Sequence, residues 1–450
     1  MIKVMKFGGT SLGSGEAMDR TSDIIRRELA KKAVVVSAMS GVTNALIAAM
    51  NDPETEPRGM VDRLREKHLQ AATGRMDENN MAAFQVRLDD RLEKLHDLLE
   101  FYHKKEDRIM IQDAVQSWGE RLSSLTLTYI LRSKDVEAVP MLSEEAGIVA
   151  SGMPGNGTAD LAATSKNLLM TIGPMIEEGW VPIITGFYGC EHLGRPITFG
   201  RGGSDYSGAV VANGVNADVL EIWTDVTGFM SADPRIVPEA RTIHDMDYGE
   251  AAELAYFGAK VLHPRTIEPA KRKNIPVWVK NTFKPDAYGT KIFSMKTAGT
   301  TLLRSVAMKT DLSVVKFYSS EIAYQPSLLT KILESVNANG VSTYAVSTSL
   351  STLAVALPSS SIPEVMERVG MLREDIESVT VKEDMALICA VGDSLLENTG
   401  VAAKVFAVVA EIGANVEMIS EGASDVALNF VVPSSRAIDV IRKLHEMYIG

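Results

Sequence analysis

The chain has 450 residues, of which 46% are hydrophobic, and it carries a formal net charge of −12 at pH 7. This length exceeds what one hydrophobic core normally fills, so two or three domains are expected. The acidic average surface would repel nucleic acid and anionic membranes, which argues against both as partners. An anionic substrate must therefore be bound by a local cationic site.

The cysteines and the N-terminus indicate the cellular compartment of the protein. Cys190 and Cys389 are isolated and belong to no CxxC pattern, which indicates reduced thiols in a cytosolic compartment. The chain runs from Met1 directly into a strand-like segment, without the regions typical of a signal peptide, and no apolar run approaches membrane-spanning length. We therefore expect a soluble, cytoplasmic protein without a membrane partner.

In the first half of the chain, short β-branched runs alternate with helical patterns. The strand-like runs cover residues 2–7, 33–38, 181–186, 219–224 and 277–279. Helical patterns follow the first two runs, from about Gly15 and from about Val42. This alternation is typical of a parallel α/β sheet, in which ligands bind at the strand ends.

A different period appears between residues 60 and 132. Apolar residues there recur at spacings of three and four, at Leu88, Leu92, Leu95, Leu99 and Tyr102. The pattern predicts a helical excursion that covers the sheet. A coiled-coil arm is the alternative, although the apolar period does not continue through enough heptads.

The second half of the chain contains an internal repeat. Composition turns small and polar near residues 297–301, which predicts a linker into a regulatory half. Beyond it, one constant offset relates three residues of one copy to three of the other: Lys331, Gly340 and Ser347 to Lys404, Gly413 and Ser420. Each copy reads as helix, glycine turn and strands, which predicts two compact α+β modules rather than a solenoid.

Two glycine-rich segments carry the chemistry of a phosphate site. They are Lys6-Phe7-Gly8-Gly9-Thr10-Ser11 and Phe199-Gly200-Arg201-Gly202-Gly203-Ser204-Asp205-Tyr206-Ser207. Glycines let backbone N–H groups converge on an anion, while Lys6 and Arg201 supply positive charge. Both segments, in this order and at this separation, resemble those of the aspartate kinases, and the resemblance extends over essentially the whole chain.

The resemblance implies a fold and an activity. It implies an α/β amino-acid kinase domain over residues 1–300, a three-layer sandwich with a mostly parallel central sheet. Two α+β ferredoxin-like ACT domains would follow at 301–375 and 376–450. The implied reaction is ATP-dependent phosphorylation of the side-chain carboxylate of L-aspartate to 4-phospho-L-aspartate, by a homodimer or larger homo-oligomer under amino-acid feedback. The alternatives are another amino-acid kinase and a non-catalytic amino-acid sensor on the same scaffold.

Three residues are implied to be catalytic. Lys6 would stabilise charge on the γ-phosphate, Asp205 would orient Lys6 and the substrate amine, and Lys260 would lie near the β- and γ-phosphates. From its own segment alone, Lys6 is equally consistent with a surface lysine at a tight turn. No Walker, HRD or DFG motif occurs. An ionised carboxylate attacks ATP without a general base, and Mg²⁺ would arrive with the nucleotide rather than at a protein metal site.

The substrate would be held by a second group of residues. By resemblance, Ser37 and Thr43 contact the side-chain carboxylate of aspartate and Glu120 binds its α-amino group. The planar fork of Arg201 suits the α-carboxylate. The residues expected nearest the transferring group are Gly202, Gly203 and Ser204. For the Ser37–Thr43 segment, plain helix capping is the alternative, and for Glu120 the residues alone favour a solvated position on a helix face.

The nucleotide would contact residues from several segments. The implied set comprises Lys6, Gly8, Gly9, Thr10, Ser11, Thr224, Asp225, Met230, Arg235, Lys260 and Val261. Thr224 and Asp225 would contact the adenosine and Arg235 the phosphates. The family commonly has tyrosine where Met230 stands, so a stacking or hydroxyl contact is not expected there. His263 precedes a proline and is expected to be a turn or packing residue.

The feedback site is expected in the first repeat, between the loop at 322–327 and a strand at 341–344. The candidate residues are Gln325, Leu328, Leu329, Ser342, Thr343 and Tyr344. That strand has no carboxylate to pair with a lysine ε-ammonium, whereas its hydroxyls suit a small hydroxylated amino acid. Threonine is therefore favoured over lysine as the effector. An inward-turned Glu321 would favour lysine instead.

Overall fold

The computed structural model describes residues 1–52, 54–106, 108–258, 261–295, 302–372, 375–392, 395, 399–420 and 424–449. Lys260 and the predicted linker at 297–301 lie outside the described residues. The chain divides into two compact units. The first comprises Met1–Phe229, His244–Tyr248 and Val261–Met295, and the second comprises Met230–Ile243, Gly249–Lys260 and Lys296–Gly450.

The strands are numbered in chain order. They are β1 Ile2–Phe7, β2 Lys31–Val36, β3 Ala138–Met141, β4 Ala150–Met153, β5 Asn156–Ala159, β6 Val181–Thr185, β7 Tyr188–Cys190, β8 Pro196–Thr198, β9 Val219–Thr224, β10 Asp245–Met246, β11 Val277–Asn281, β12 Thr290–Ile292, β13 Ser305–Tyr318, β14 Ala345–Thr348, β15 Thr352–Pro358, β16 Ser378–Val391, β17 Met418–Ser420 and β18 Ala427–Pro433. The runs predicted from sequence agree with β1, β2, β6, β9 and β11.

The helices are numbered in the same way. They are α1 Gly15–Arg27, α2 Val42–Asn51, α3 Pro57–Ala72, α4 Glu78–Lys104, α5 Gln112–Gln116, α6 Trp118–Arg132, α7 Ser143–Ala146, α8 Leu161–Glu177, α9 Gly203–Gly214, α10 Tyr248–Phe257, α11 Glu268–Lys271, α12 Pro326–Asn337, α13 Ile362–Val369, α14 Val401–Glu411 and α15 Ser434–Tyr448. Short 3₁₀-helices cover Thr10–Leu12, Pro264–Ile267, Ala338–Gly340, Ser359–Ser361 and Gly370–Leu372. No helix in the described part of the chain combines the length and apolar character that crossing a membrane requires.

The first unit is built on an eight-stranded sheet in the order β10-β12-β11-β9-β1-β2-β6-β3. Its neighbouring strands are parallel except for β11 and β12, which run antiparallel. Successive side chains of a strand point to opposite faces. Met5 and Phe7 of β1 therefore enter one hydrophobic core, with α1 to α6, while Lys6 faces α9 on the other side. The predicted layered, mostly parallel α/β domain is confirmed.

The helical excursion is also confirmed. Helices α3, α4 and α6 pack on one another, α6 packs on the sheet, and the apolar stripe of α4 is buried in the core that they share. Its members, predicted from their spacing, are Leu88, Leu92, Leu95, Leu99 and Tyr102. Because this stripe faces the chain's own core, the alternative of a coiled-coil arm is wrong.

The second unit contains a six-stranded sheet in the order β14-β15-β13-β16-β18-β17. Its two long strands pair with each other along their length, and each gains a second partner part of the way along. Strand β13 pairs with β15 only from Leu312 onward, and β16 pairs with β18 only from Met385 onward. Near these points Asp311 and Asp384 have positive φ values of 62° and 56°. Each half of the sheet therefore belongs to its own module, and each module has its own hydrophobic core.

The two modules are copies of one another, as the repeat predicts. Gly340 and Gly413 both follow a helix and have left-handed φ values of 77° and 68°. The matching serines, Ser347 and Ser420, lie on β14 and β17. The modules interleave, since the second takes its first strand from Ser305–Lys309 ahead of the first module. Because the modules interleave, no single residue separates them. The domain boundaries predicted at 300 and 375 stay predictions.

Candidate active site

A cavity of about 380 Å³ lies where β1, β2 and the start of α9 meet in the first unit. Its lining includes most of the residues predicted to act on substrate, namely Lys6, Gly9, Ser37, Thr43, Glu120, Arg201, Gly202, Gly203, Ser204 and Asp205. The two glycine-rich segments are thus brought together at one site. This is where an open parallel sheet binds its ligands.

Lys6 is buried at the base of this cavity. Its stem packs against α9, where a Cβ on Gly208 would lie only 3.0 Å from the Lys6 Cβ. Its ammonium forms an ion pair with the carboxylate of Asp205, in the first turn of α9. The two side chains are only 7% and 17% exposed, so the alternative of a surface lysine is wrong.

The start of α9 gives the cavity its anion-binding character. The helix is preceded by Gly202 in a left-handed conformation, with φ 71°, and a Cβ there would lie 2.6 Å from the Cβ of His263. The first N–H groups of a helix lack internal partners and attract anions. Arg201, immediately before this start, is exposed on the cavity wall. The predicted packing role of His263 agrees with this contact, and burial lowers the pKa of its ring, with Arg201 and Arg265 lowering it further.

Glu120 lies in the first turn of α6 and is only 3% exposed. Its Oε1 accepts hydrogen bonds from the Ala38 N–H at 3.0 Å and from the Ser204 hydroxyl at 3.4 Å. A Cβ on Gly119 would lie 2.5 Å from the Ala38 Cβ, so glycine is what lets α6 approach this closely. The solvated position that the residues alone favoured is therefore wrong.

The environment of Glu120 sets its charge. Burial raises the pKa of its carboxyl to about 8, against the opposing effects of the Ala38 N–H, the Ser204 hydroxyl and the Lys6 charge. Among the described residues, its Oε2 has no hydrogen-bond partner. A buried acceptor without a partner costs free energy, and a bound ammonium group would supply the missing donor and favour the ionised carboxylate.

The turn between β2 and α2 forms another wall. Helix α2 is capped by Gly41, with φ 82° and no side chain, so plain capping by its serine and threonine hydroxyls is wrong. Ser37 and Thr43 line the cavity instead. Phe187 also lines it, with a positive φ of 77°. Sequence reasoning missed Phe187, and its position in a Gly-Phe turn after β6 was the one signal available.

The first glycine segment divides between the cavity and the structure around it. Gly9 lines the cavity, and a Cβ on Gly8 would lie 3.6 Å from Lys6 Nζ, so the turn lies close to the ammonium. The Gly8 N–H, however, donates to the Trp223 carbonyl at 3.0 Å. The Ser11 hydroxyl is fully buried and bonds to the Trp223 carbonyl and to Thr282. These bonds contradict a nucleotide contact by the Gly8 N–H or the Ser11 hydroxyl, while that of the exposed Thr10 stays a prediction.

The residues predicted to bind the rest of the nucleotide lie in both units. Thr224 ends β9, which lies beside β1, and Asp225 follows it; Asn281 donates to the Asp225 carbonyl at 3.1 Å. Val261 also belongs to the first unit. In the second unit, Arg235 is 82% exposed and paired with Asp233, and the half-buried Met230 accepts a hydrogen bond from Ser305. Their nucleotide contacts, and that of Lys260 outside the described residues, stay predictions.

The candidate feedback site differs from expectation. Residues 341–344 are irregular rather than a strand, because pairing of β14 begins at Ala345 and Thr343 bonds elsewhere, to Asn337 and Tyr256. Leu328 is buried in the core of the first module, so its predicted effector contact is contradicted, and Leu329 packs partly against the same core.

The remaining candidate effector-binding residues lie at or near the surface of the second unit. Gln325 and Ser342 are exposed and Tyr344 is half-buried. The carboxylate of Glu321 turns to Gln325, whose amide donates to it at 2.8 Å. Sequence reasoning did not identify Glu377, whose carboxylate accepts the Ser320 N–H at 2.8 Å next to the loop.

Comparisons with known proteins agree with this fold. The model of the amino acid kinase family matches residues 1–281, and an ACT domain model matches residues 388–448. The lysine-sensitive aspartokinase 3 of Escherichia coli is 34% identical over 450 residues, which cover 99% of this chain and 98% of that protein. Aspartokinase 3 of Bacillus subtilis is 29% identical, with 100% and 99% covered.

Solved structures of an aspartokinase are also similar to this chain. The crystal structure of E. coli aspartokinase III in complex with aspartate and ADP has a TM-score of 0.84 and 32% identity, covering 99% of both chains. That of the same enzyme with lysine and aspartate also has a TM-score of 0.84, covering 100% of both chains. The chain therefore belongs to the amino acid kinase family and, within it, to the aspartokinases.

Proposed function

We propose that the cavity around Lys6 and Glu120 is the site where this aspartate kinase transfers the γ-phosphoryl group of ATP to the side-chain carboxylate of L-aspartate. One carboxylate oxygen forms a bond to the γ-phosphorus as the bond between that phosphorus and the β–γ bridging oxygen breaks. The products are 4-phospho-L-aspartate and ADP. This is the first step of the pathway from aspartate to lysine, threonine and methionine. The observation that carries the proposal is the burial of the Lys6–Asp205 pair and Glu120 in one cavity.

Three parts of the cavity wall suit the three charged groups of aspartate. The free Oε2 of Glu120 is an acceptor for the α-ammonium group. The exposed guanidinium of Arg201 offers two parallel N–H donors to the α-carboxylate. Ser37 and Thr43 line the same cavity as Lys6, and their hydroxyls would donate to the side-chain carboxylate.

The phosphate side of the cavity suits the charge that develops during transfer. The Lys6 ammonium, the Gly9 turn and the first amides of α9 present positive charge and N–H groups to phosphate oxygens. Asp205 holds the Lys6 ammonium in place. These donors fit MgATP, in which Mg²⁺ is held by phosphate oxygens and water and neutralises part of their charge.

An assay of ADP release tests this function and its alternatives. ADP should form with L-aspartate and ATP, and much more slowly when glutamate or acetylglutamate replaces aspartate. Faster release with either of those acids would identify another amino-acid kinase activity. No release with any acid would favour the non-catalytic sensor.

For the regulatory unit, we propose a feedback amino acid bound near residues 320–325 and 342–344, with threonine favoured over lysine. The support is that residues 341–344 have no carboxylate and that the Glu321 carboxylate is already bonded to Gln325. Lysine is the second candidate, because the E. coli relative is named lysine-sensitive. Initial rates with each amino acid decide between them, and inhibition by lysine without inhibition by threonine would overturn the preference.

We also propose a cytoplasmic homodimer or larger homo-oligomer. In the described part of the chain, β14 and β17 are the edge strands of the second sheet and lie close to each other, and edge strands can pair with those of a second copy. The cytoplasmic location is supported by free, buried thiols at Cys190 and Cys389. Light scattering that showed an active, feedback-regulated monomer would contradict the assembly.

A further inference from the structure

The β4–β5 hairpin lies directly against the segment that carries Arg201. A Cβ on Gly200 would lie 2.6 Å from the carbonyl oxygen of Gly155, at the hairpin tip. A Cβ on Gly157 would lie 2.5 Å from the Ile197 side chain in β8. The hairpin backbone therefore packs closely on Gly200 and on the Ile197 side chain, and a displaced hairpin would displace the residues next to Arg201.

Asp113 ties the hairpin to β8 from below. It lies in α5, is 1% exposed, and accepts two backbone hydrogen bonds at the same oxygen, Oδ2. One comes from Gly155 at 2.9 Å and the other from Thr198, the last residue of β8, at 2.8 Å. One side chain thus holds both segments next to Arg201.

Arg265 holds the hairpin from the opposite side. Its guanidinium donates to the Gly157 carbonyl, to the Thr158 hydroxyl at 2.7 Å and to the Asn156 side chain at 3.2 Å. The same group lies 4.9 Å from the ring centre of Tyr206 in α9. Arg265 therefore connects the hairpin to the helix that begins beside Arg201.

We propose that Asp113 and Arg265 are positioning residues for substrate binding, which hold Arg201 in place by clamping the β4–β5 hairpin. Neither residue is part of the cavity lining, so each acts through the Arg201 segment. That segment needs support because Gly200 and Gly202 flank Arg201, both with φ 71°, and glycine backbone is conformationally free. The inference rests on the proposed contact between Arg201 and the α-carboxylate of aspartate.

Steady-state kinetics of the full chain test the proposal. Asp113→Ala should raise the KM for aspartate about 10-fold to 100-fold, since small misplacements of a binding group cost this much. Its kcat and its KM for ATP should stay within about threefold, because binding to aspartate is lost equally in the ground and transition states. Asp113→Asn should restore the KM, because one amide oxygen can accept both N–H groups. Gln112→Ala, on the same helix, is the control and should change nothing.

Arg265→Ala provides a second, independent variant. It should raise the KM for aspartate in the same way, whereas Arg272→Ala, an exposed arginine nearby, should not. If a thermal melt shows that Asp113→Ala does not fold, the comparison of Arg265→Ala with Arg272→Ala decides the question. An unchanged KM for aspartate in the folded variants would overturn the inference, and so would an Asp113→Asn enzyme as impaired as Asp113→Ala.

A double variant separates this inference from the assignment of Arg201. If Asp113 acts through Arg201, then Asp113→Ala should add less than about twofold to the KM of Arg201→Ala, because the two effects are coupled. Full additivity would overturn the positioning role. An unchanged KM in Arg201→Ala itself would overturn the α-carboxylate assignment instead.

Discussion

The cavity of the first unit and the candidate feedback segment of the second hold their polar groups in opposite ways. In the cavity, Lys6 and Glu120 are buried, and Glu120 keeps one oxygen without a partner among the described residues. In the feedback segment, Glu321 and Gln325 are exposed and bonded to each other. The buried Lys6–Asp205 ion pair is in place before substrate arrives, whereas exposed, mutually bonded groups can exchange partners when an effector binds.

The largest effect is expected at Lys6. Lys6→Ala should lower kcat about 100-fold or more, since the ammonium acts on charge that develops during transfer. The dissociation constant for aspartate, measured by calorimetry, should change little. Lys31→Ala removes an exposed lysine at the start of β2 and serves as the control. A Lys6→Ala enzyme with nearly wild-type kcat would contradict the role of the buried pair.

A change at Arg201 should affect binding rather than turnover. Arg201→Ala removes a charge-assisted contact and should raise the KM for aspartate about 10-fold to 100-fold with kcat nearly unchanged. Arg201→Lys should recover only part of this loss, because an ammonium lacks the planar fork. If the KM for ATP rose instead, Arg201 would bind the nucleotide, and the assignment of the substrate and nucleotide sides of the cavity would have to be exchanged.

Glu120 should make aspartate binding depend on pH. With its pKa raised to about 8 by burial, the free enzyme holds this carboxyl protonated at lower pH, and the α-ammonium group then lacks its partner. The KM for aspartate should therefore fall about tenfold for each pH unit as pH rises from 6 to 7, and level off above 8. Glu120→Gln should remove this dependence.

Protein stability gives an independent check on the same group. Between the ordinary glutamate pKa of 4.5 and about 8, the folded state binds a proton that the unfolded state has released, so this carboxyl makes stability decrease as pH rises. Melting temperatures of Glu120→Gln should fall less than those of the wild type over this range. Identical profiles for the two proteins would contradict the raised pKa.

The smallest effect is expected in the feedback segment. The Tyr256 hydroxyl donates to the Thr343 carbonyl at 2.8 Å, within the second unit. Tyr256→Phe should weaken inhibition by the effector about twofold to tenfold, the contribution of one neutral hydrogen bond, and leave uninhibited rates unchanged. Tyr288→Phe is a control on an exposed tyrosine. An unchanged inhibition constant would show that the hydrogen bond between Tyr256 and Thr343 does not contribute to effector binding.

The sequence predicts the first unit more completely than the feedback segment of the second. The parallel sheet, the helical excursion and the repeat follow from periodicity, and the cavity follows from motifs in which glycine and charge occur together. Glu120 was misjudged from residues alone, because its burial depends on Gly119 allowing α6 to approach Ala38. The role of Ser11 was missed for a similar reason, since its partners Trp223 and Thr282 are remote in sequence.

In the second unit, local pattern was a weaker guide. Residues 341–344 alternate like a strand, yet Thr343 bonds to Asn337 and Tyr256 instead of extending the ladder. The interleaving of the two modules depends on the second partners that β13 and β16 gain near Asp311 and Asp384, and tertiary pairing rather than local propensity decides these.

Trapping of the acyl phosphate tests the central claim most directly. Hydroxylamine converts 4-phospho-L-aspartate to a hydroxamate, which can be measured while ADP release is followed in parallel. The wild-type enzyme with L-aspartate and ATP should form hydroxamate and ADP in equal amounts, and Lys6→Ala should lose both together. Release of ADP without hydroxamate, or full hydroxamate formation by Lys6→Ala, would contradict the assignment of this cavity to aspartate phosphorylation.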